Sequence, residues 1–135
     1  MIYGIGADLI EIERVAHAVE RHGDRFARRV LGPQEWERYV GRRSRSAVRG
    51  LAFLATRFAA KEAISKAIGL GMRLPMTWRA VEIVNAASGR PVAVAHGKLA
   101  EFLEQKRLRL HVSVSDERSM ALAYAVAEQV EEGAR

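Results

Sequence analysis

The segment RFAAKEAISKA, residues 57–67, decides the fold expected of this sequence. Ala, Glu and Lys dominate it, and neither Gly nor Pro occurs before Gly69, so the segment predicts the middle of a long α-helix. Because an α-helix has about 3.6 residues per turn, one of its sides carries Phe58, Glu62, Ser65, Lys66 and Gly69. Glu62 and Lys66 are one turn apart, as in an exposed salt bridge or as the carboxylate and ammonium group of a functional site.

Two other segments have patterns that point towards a site. Residues 1–14, MIYGIGADLIEIER, begin with a Gly-rich strand pattern. An acidic residue, Asp8, lies at the end of this strand, just before a helical pattern starts. Two glycines on the Asp8 side of this strand leave its surface bare, so a ligand or another backbone could approach closely. Residues 110–116, LHVSVSD, alternate apolar with polar side chains and predict another strand.

Taken together, the three segments resemble the holo-acyl-carrier-protein synthase family of 4'-phosphopantetheinyl transferases. The matching signatures are Gly4-Ile5-Gly6-x-Asp8 with Arg14, the central block of residues 57–67, and His111-Val112-Ser113. Their order and spacing extend the resemblance from residue 1 to about residue 126. The first signature alone is weak, the central block is strong, and all three in order are stronger still.

Length and composition favour one folded domain over residues 1–135, large enough for a hydrophobic core. A hydrophobic fraction of 49% argues against disorder, and the lack of cysteine excludes disulfides and thiolate metal sites. The N-terminus lacks the charged start and continuous apolar run of a signal peptide, and no apolar window of about 18 residues suggests a membrane span. We therefore expect a soluble, cytoplasmic protein without a membrane partner.

The positive charge is concentrated in one part of the chain. The formal net charge is +6, and residues 14–57 contain eleven Arg and no Lys against four acids. Such a belt could bind nucleic acid, an anionic membrane surface or an acidic protein, or could be a solvated face. Few aromatic residues interleave with the arginines, and Phe26, Trp36 and Tyr39 have helix-core spacing, which argues against nucleic acid.

The pattern of elements predicts an α+β fold, with helices early and a mainly antiparallel sheet late. We expect strands at 2–8, 78–85, 91–94 and 110–115, and helices at 11–30, from Pro33, at 47–68 and at 96–106, with a basic loop at 41–46. Residues 120–126 are ambiguous, but the short turn before them favours a strand that completes a hairpin. The polar tail, residues 128–135, is expected to fray.

Asp8 and Glu62 are the candidates for a metal site. If the fold brings them together, they offer a doubly negative, oxygen-only site, which suits Mg²⁺ when water and substrate phosphates complete its coordination. Coenzyme A contains a pyrophosphate, which could supply these phosphate oxygens. Lys66 would reach the same phosphates as a point charge.

The resemblance implies a specific Mg²⁺-dependent reaction. The 4'-phosphopantetheine group of coenzyme A is transferred to a serine of apo acyl carrier protein, in fatty-acid biosynthesis, and adenosine 3',5'-bisphosphate is released. Because the nucleophile belongs to the partner, no Ser-His-Asp set is needed, and Ser65 and Ser113 need not be nucleophiles. Asp8, Glu62 and Lys66 are then the catalytic residues, and the base is Lys66, Glu62 or a metal-bound water positioned by Asp8.

The resemblance also assigns binding residues. Coenzyme A is expected at Arg57, Ser65, Asn85, Gly89, Pro91 and His111, with Arg45 or Arg49 as a further phosphate contact. The helix with Arg14, Arg21 and Arg25 corresponds to the docking surface for the acidic carrier protein, and the family forms homotrimers with active sites at protomer boundaries.

Two other functions remain as alternatives. The arginine belt could belong to a basic nucleic-acid-binding module. The two carboxylates could also serve a metal-dependent hydrolase of nucleotide pyrophosphates, which would need no protein acceptor.

Overall fold

The computed structural model describes residues 1–131 and is an α+β structure, as the sequence predicts. Its helices are α1 (Ile12–His22), α2 (Asp24–Val30), α3 (Pro33–Arg45), α4 (Ala47–Ala67) and α5 (Gly97–Gln105), with a 3₁₀ turn at Trp78–Ala80. Its strands are β1 (Ile2–Glu11), β2 (Val81–Asn85), β3 (Pro91–Ala95), β4 (Leu108–Glu117) and β5 (Met120–Gln129). They form an antiparallel sheet in the order β1-β5-β4 and an antiparallel β2-β3 hairpin.

Several element boundaries differ from those predicted. The helix expected over residues 11–30 is two helices, because Gly23 adopts a positive φ of 60° between them. The basic loop expected at residues 41–46 is wrong: α3 continues to Arg45, since Arg is a good helix former and the guanidinium groups of Arg42 and Arg43 lie over aromatic rings. Residues 78–80 form a 3₁₀ turn and not the start of a strand.

The C-terminal prediction is partly confirmed. Residues 120–126 do form a strand, which pairs with both β1 and β4. The strand also includes Glu128 and Gln129, which were expected to fray; they are held because they pair with Arg109 and Leu108 of β4. Residues 132–135 lie outside the described part of the chain.

Helix α4 is the centre of the core. It is buried on almost every side, since it packs on β1 and β5 of the sheet and also against α3 and β2. Strand β5 presents a row of small residues to it, and all four are buried: Ala121, Ala123, Ala125 and Ala127. Small side chains on the strand let the helix lie close to the sheet.

Strand β1 allows an even closer approach. A Cβ on Gly4 would collide with the carbonyl oxygen of Ala67, and a Cβ on Gly6 would collide with that of Ala63. The bare glycine surface predicted from the sequence is therefore occupied by another backbone, that of α4. This contact places Asp8, the next residue on the same face of β1, beside the C-terminal part of α4, where it meets Lys66.

A buried ion pair joins α4 to α3 and to the hairpin. The Lys61 ammonium group donates hydrogen bonds to Glu35 Oε1 at 2.6 Å and to the Val30 and Trp78 carbonyls. Glu35 Oε2 in turn accepts from the Ile83 amide at 2.7 Å. Burial lowers the pKa of Lys61, although the Glu35 carboxylate opposes this shift. A charge with this many partners in the interior holds three elements in one arrangement.

We predict that Gly6→Ala destabilises the protein by roughly 1–3 kcal/mol or more, because the new methyl group must push β1 away from α4. Chemical denaturation of the variant and the wild type measures the difference. Gly41→Ala in α3 is the matched control, since a Cβ there meets nothing within 4 Å. The close packing described here is wrong if Gly6→Ala is as stable as the control.

Candidate active site

The structure brings Asp8, Glu62 and Lys66 together. Asp8 lies on the α4-facing side of β1, and its side chain is 19% exposed. The Lys66 ammonium group donates to the Ala7 carbonyl at 2.9 Å and lies 3.5 Å from Asp8 Oδ1. Glu62 is one turn earlier on α4, on the side predicted from helical spacing.

The electrostatics of Glu62 show that the two carboxylates interact. Burial raises the pKa of Glu62, the negative charge of Asp8 raises it further, and Lys66 opposes both effects. The single ammonium group of Lys66 thus lies near the carboxylates of both Asp8 and Glu62, and it can balance the charge of only one of them. A bound cation would relieve this repulsion.

Ser65 is adjacent to Lys66 on α4, but its side chain forms a hydrogen bond within the helix. The residue is buried, and its hydroxyl donates to the Glu62 carbonyl at 2.6 Å. Among the residues the structure describes, no cluster of three or more His, Cys, Asp or Glu side chains could hold a metal ion. Any metal at Asp8 and Glu62 would therefore take its other ligands from water or substrate.

A second group of predicted residues lines a cavity of about 420 Å³. Four of its lining residues were expected to bind coenzyme A: Arg57, Asn85, Gly89 and Pro91. Arg49, one of two further candidates, lines it as well, whereas Arg45 lines the neighbouring groove. The cavity wall contains three arginines, with Arg42 the third, against the single acid Asp116, so it favours an anionic ligand.

Arg57 is held rigidly in this wall. Its Nε donates to the Ile83 carbonyl and one of its terminal nitrogens to Asn85 Oδ1, both at 3.3 Å. Burial, together with the charges of Arg42 and Arg38, lowers the pKa of Arg57 to about 10, while the charge of Glu35 opposes this shift. A fixed cation surrounded by other cations is well suited to a phosphate group.

His111 lies apart from both groups within the chain. It is on the face of the sheet opposite to α4, where its Nε2 lies 2.9 Å from Glu128 Oε1. This contact is the main cause of the lowered pKa of Glu128. His111 does not line the cavity, whereas Ser115 and Asp116, further along the same strand, do.

The arginines expected to dock a partner are all exposed. Arg14 and Arg21 are on α1 and Arg25 is on α2. None of the three forms an ion pair with an acidic residue in the described part of the chain. Their charge is therefore available to a partner.

Two charged residues of the cavity wall, Arg42 and Asp116, were not among the predicted contacts. Arg42 was assigned to a loop, and continuing the helical period from Trp36 through residue 45 would have placed it on a helix face towards α4. Asp116 ends the alternating pattern of residues 110–116 and was given no role, and nothing in its sequence context marks it as part of a cavity.

Comparison with known proteins agrees with the three signatures. The family model for the 4'-phosphopantetheinyl transferase superfamily matches residues 4–125. The chain belongs to this superfamily. Holo-[acyl-carrier-protein] synthase of Herminiimonas arsenicoxydans is 59% identical over 129 residues, which cover 96% of this chain and 99% of that relative. The resemblance stated from the sequence is confirmed.

Solved structures of transferases in this superfamily share the fold. Holo-[acyl-carrier-protein] synthase of Neisseria meningitidis is 37% identical, with a TM-score of 0.88 over 96% of this chain and 100% of that one. A holo-(acyl-carrier-protein) synthase of Bacillus anthracis, in complex with CoA (3',5'-ADP), is 32% identical, with a TM-score of 0.81 over 96% and 99% of the two chains. No helix within residues 1–131 is both long and apolar enough to cross a membrane.

We predict that Asp8→Asn lowers the pKa of Glu62, because it removes a negative charge that disfavours ionisation of the buried carboxyl. Titration of the Glu62 carboxyl by NMR measures this change. Glu13→Gln, which alters an exposed acid on α1, is the control and should leave that pKa unchanged. An unaltered Glu62 titration in Asp8→Asn would mean that the two carboxylates are too far apart to share an ion.

Proposed function

We propose that this chain is a holo-[acyl-carrier-protein] synthase. It transfers the 4'-phosphopantetheine group of coenzyme A to a serine of apo acyl carrier protein, giving holo acyl carrier protein and adenosine 3',5'-bisphosphate. The observation that carries the proposal is the Asp8–Glu62 carboxylate pair beside Lys66. The relatives described above are holo-[acyl-carrier-protein] synthases, and the structure of one of them was solved in complex with CoA. Fatty-acid biosynthesis in the cytoplasm is the expected setting.

Magnesium fits the carboxylate pair. The site has two carboxylates and excess negative charge. Mg²⁺ is typically bound by one or two carboxylates, with water and substrate phosphate oxygens as its other ligands. Asp8 and Glu62 would hold the ion, which when bound supplies positive charge to the pyrophosphate of coenzyme A.

The residues of the chain have separate roles in the transfer. The carrier serine oxygen attacks the phosphorus that bears the pantetheine, and the bond from that phosphorus to the bridging oxygen breaks, so adenosine 3',5'-bisphosphate leaves with the bonding electrons. Lys66, next to Asp8, orients the phosphates by its charge. The serine proton passes to Glu62 or to water beside Asp8, because a Lys66 that carries its charge has no lone pair to accept it.

The arginine-lined cavity is the proposed nucleotide site. Arg57 and Arg49, with Arg42, provide positive charge for the 3'-phosphate, while Gly89, with a φ of 90°, turns the chain tightly beside Asn85 and Pro91. Ser65 was also expected to bind coenzyme A, but it does not line this cavity, and its hydroxyl already donates a hydrogen bond to the Glu62 carbonyl within α4.

The proposed assembly is a homotrimer, and the open face of the sheet supports association between copies of the chain. Tyr3, Ile5, Leu9 and Tyr124 are exposed on the side of the sheet away from α4, and Ile5 is 71% exposed. An apolar surface of this kind usually lies against another chain. His111 is on the same face, so association there would place it at the boundary between copies, where it could contact a ligand bound by the neighbouring chain.

Arg14, Arg21 and Arg25 are proposed to dock the carrier protein. They are exposed and free of acidic partners within residues 1–131, so they can pair with the carboxylates of an acidic protein. Association through them would weaken as salt screens the charges.

The transfer is tested by intact-protein mass spectrometry of apo carrier protein incubated with the chain, coenzyme A and Mg²⁺. We expect the wild type to add one phosphopantetheine group, and Asp8→Ala and Glu62→Ala each to abolish the addition, because either change removes a metal ligand. Glu101→Ala, which changes an exposed acid on α5, is the control. Transfer at the wild-type rate by a folded Asp8→Ala or Glu62→Ala variant contradicts the proposed site.

The trimer is tested by light scattering of the purified chain. We expect a particle of three times the 15.0 kDa chain mass, and we expect Ile5→Asp to give monomers, because it buries a charge at the interface. Val48→Asp is the control, since Val48 is similarly exposed but lies on α4, away from the sheet. A wild type that is monomeric at all concentrations contradicts the assembly.

A further inference from the structure

A groove between α5 and the segment before β2 is separate from both groups of site residues. It has a volume of about 780 Å³, which is within the size range of small-molecule sites. Its lining comes from residues 74–80 and from residues 96–105. None of the lining residues belongs to the carboxylate pair or to the arginine-lined cavity. We refer to this feature as the α5 groove.

The α5 groove lies at the opposite end of the β2-β3 hairpin from the arginine-lined cavity. The cavity contains Asn85 and Pro91, which pair with each other at the turn of the hairpin. The groove contains Ala80 and His96, which directly precede β2 and follow β3. Because β2 has five residues, these two ends are about 13 Å apart. A ligand in the groove would therefore leave the proposed nucleotide site free.

Much of the surface of the α5 groove is apolar. Leu99 is fully buried and Phe102 is half-buried, and both pack in the core as well as lining the groove. Leu74 also lines it, although this side chain is 82% exposed. Exposed apolar surface that continues into a groove is typical of a binding site. The α5 groove therefore favours a ligand with an apolar part.

One end of the α5 groove is positively charged. Arg79 and Lys98 lie at this end, since the His96 amide donates to the Ala80 carbonyl at 2.8 Å and joins their two segments. Both are exposed, and neither forms an ion pair with an acidic residue within residues 1–131. Glu101 is the one acid among the described lining residues, so it can balance only one of the two cations. This end therefore favours an anionic group.

Helix α5 arranges the charged and apolar parts in a line. Lys98, Phe102 and Gln105 lie on the same side of the helix, because they are separated by four and three residues. The helix rises about 10 Å from the first of them to the last. An extended ligand on this side would meet positive charge at Lys98 and an aromatic ring one turn further on.

We propose that the α5 groove binds a single-chain anionic amphiphile, such as a fatty acid of medium length. Its carboxylate would pair with Arg79 and Lys98, and its alkyl chain would lie along Phe102 and Leu74. Each methylene removed from water adds to the affinity, while the two cations fix the direction of the chain. This site is additional to the proposed transfer reaction and does not depend on it.

The test measures binding of decanoate to the full chain by NMR titration of the backbone amides, at concentrations below those at which decanoate forms micelles. We expect saturable shifts at residues 74–80 and 96–105. Butyrate has the same head group on a shorter chain, and decan-1-ol has the same chain without the charge. Each should bind at least about tenfold more weakly than decanoate, because each lacks one half of the interaction.

Two variants separate the charged contacts from the apolar ones. Arg79→Glu/Lys98→Glu should weaken decanoate binding at least about tenfold and decan-1-ol binding less than about twofold, since it changes only the head-group contacts. Leu74→Ser should weaken the binding of both, because it removes apolar surface. The control is Arg90→Glu/Arg118→Glu, which makes the same change of net charge at the turns of the two hairpins and should bind decanoate as the wild type does.

Equal affinity for decanoate and decan-1-ol, or shifts confined to the open face of the sheet, would overturn the inference. Displacement of decanoate by adenosine 3',5'-bisphosphate would also overturn it, because the groove would then be part of the nucleotide site. Sedimentation with anionic phospholipid vesicles, lost in Arg79→Glu/Lys98→Glu and without saturable decanoate binding, would assign the groove to a membrane surface instead. The proposed transferase activity is not measured in any of these experiments, so their failure would leave that proposal intact.

Discussion

The structure depends on the direct contact between the backbone of β1 and helix α4. Gly4 and Gly6 have no side chains to separate strand from helix, so the Ala63 and Ala67 carbonyls lie where their Cβ atoms would be. This approach sets the height of α4 above the sheet and brings Asp8 beside α4. The carboxylate pair is therefore a consequence of how closely two elements of the core can pack.

Helix α4 uses its different sides for different purposes. Lys61 points into the interior, where Glu35 and two carbonyl groups hold its ammonium group. Lys66, little more than a turn further on, reaches the edge of β1 and the Asp8 carboxylate. Arg57 faces the β2-β3 hairpin. Because these positions lie on one rigid helix, the buried Lys61 network also steadies the groups on the exposed sides.

The distribution of charge matches a reaction between two anionic substrates. Uncompensated negative charge at Asp8 and Glu62 attracts a cation, and the positive cavity around Arg57 attracts phosphate. Outside these sites, exposed arginines on α1 and α2 favour an acidic protein. Under the proposed function, this separation of charges would let one small chain bind coenzyme A and a protein acceptor on different surfaces.

Local patterns were enough to predict the main chemical features of α4 and β1. The composition of α4 favours a helix, the spacing of Glu62 and Lys66 places them on one side of it, and the glycines of β1 predict a close approach. Tertiary contacts were needed to establish which lysine is buried and that His111 is on the open face of the sheet. These features depend on which distant elements cover each side of a helix or strand, and helical or strand periodicity contains no information about that.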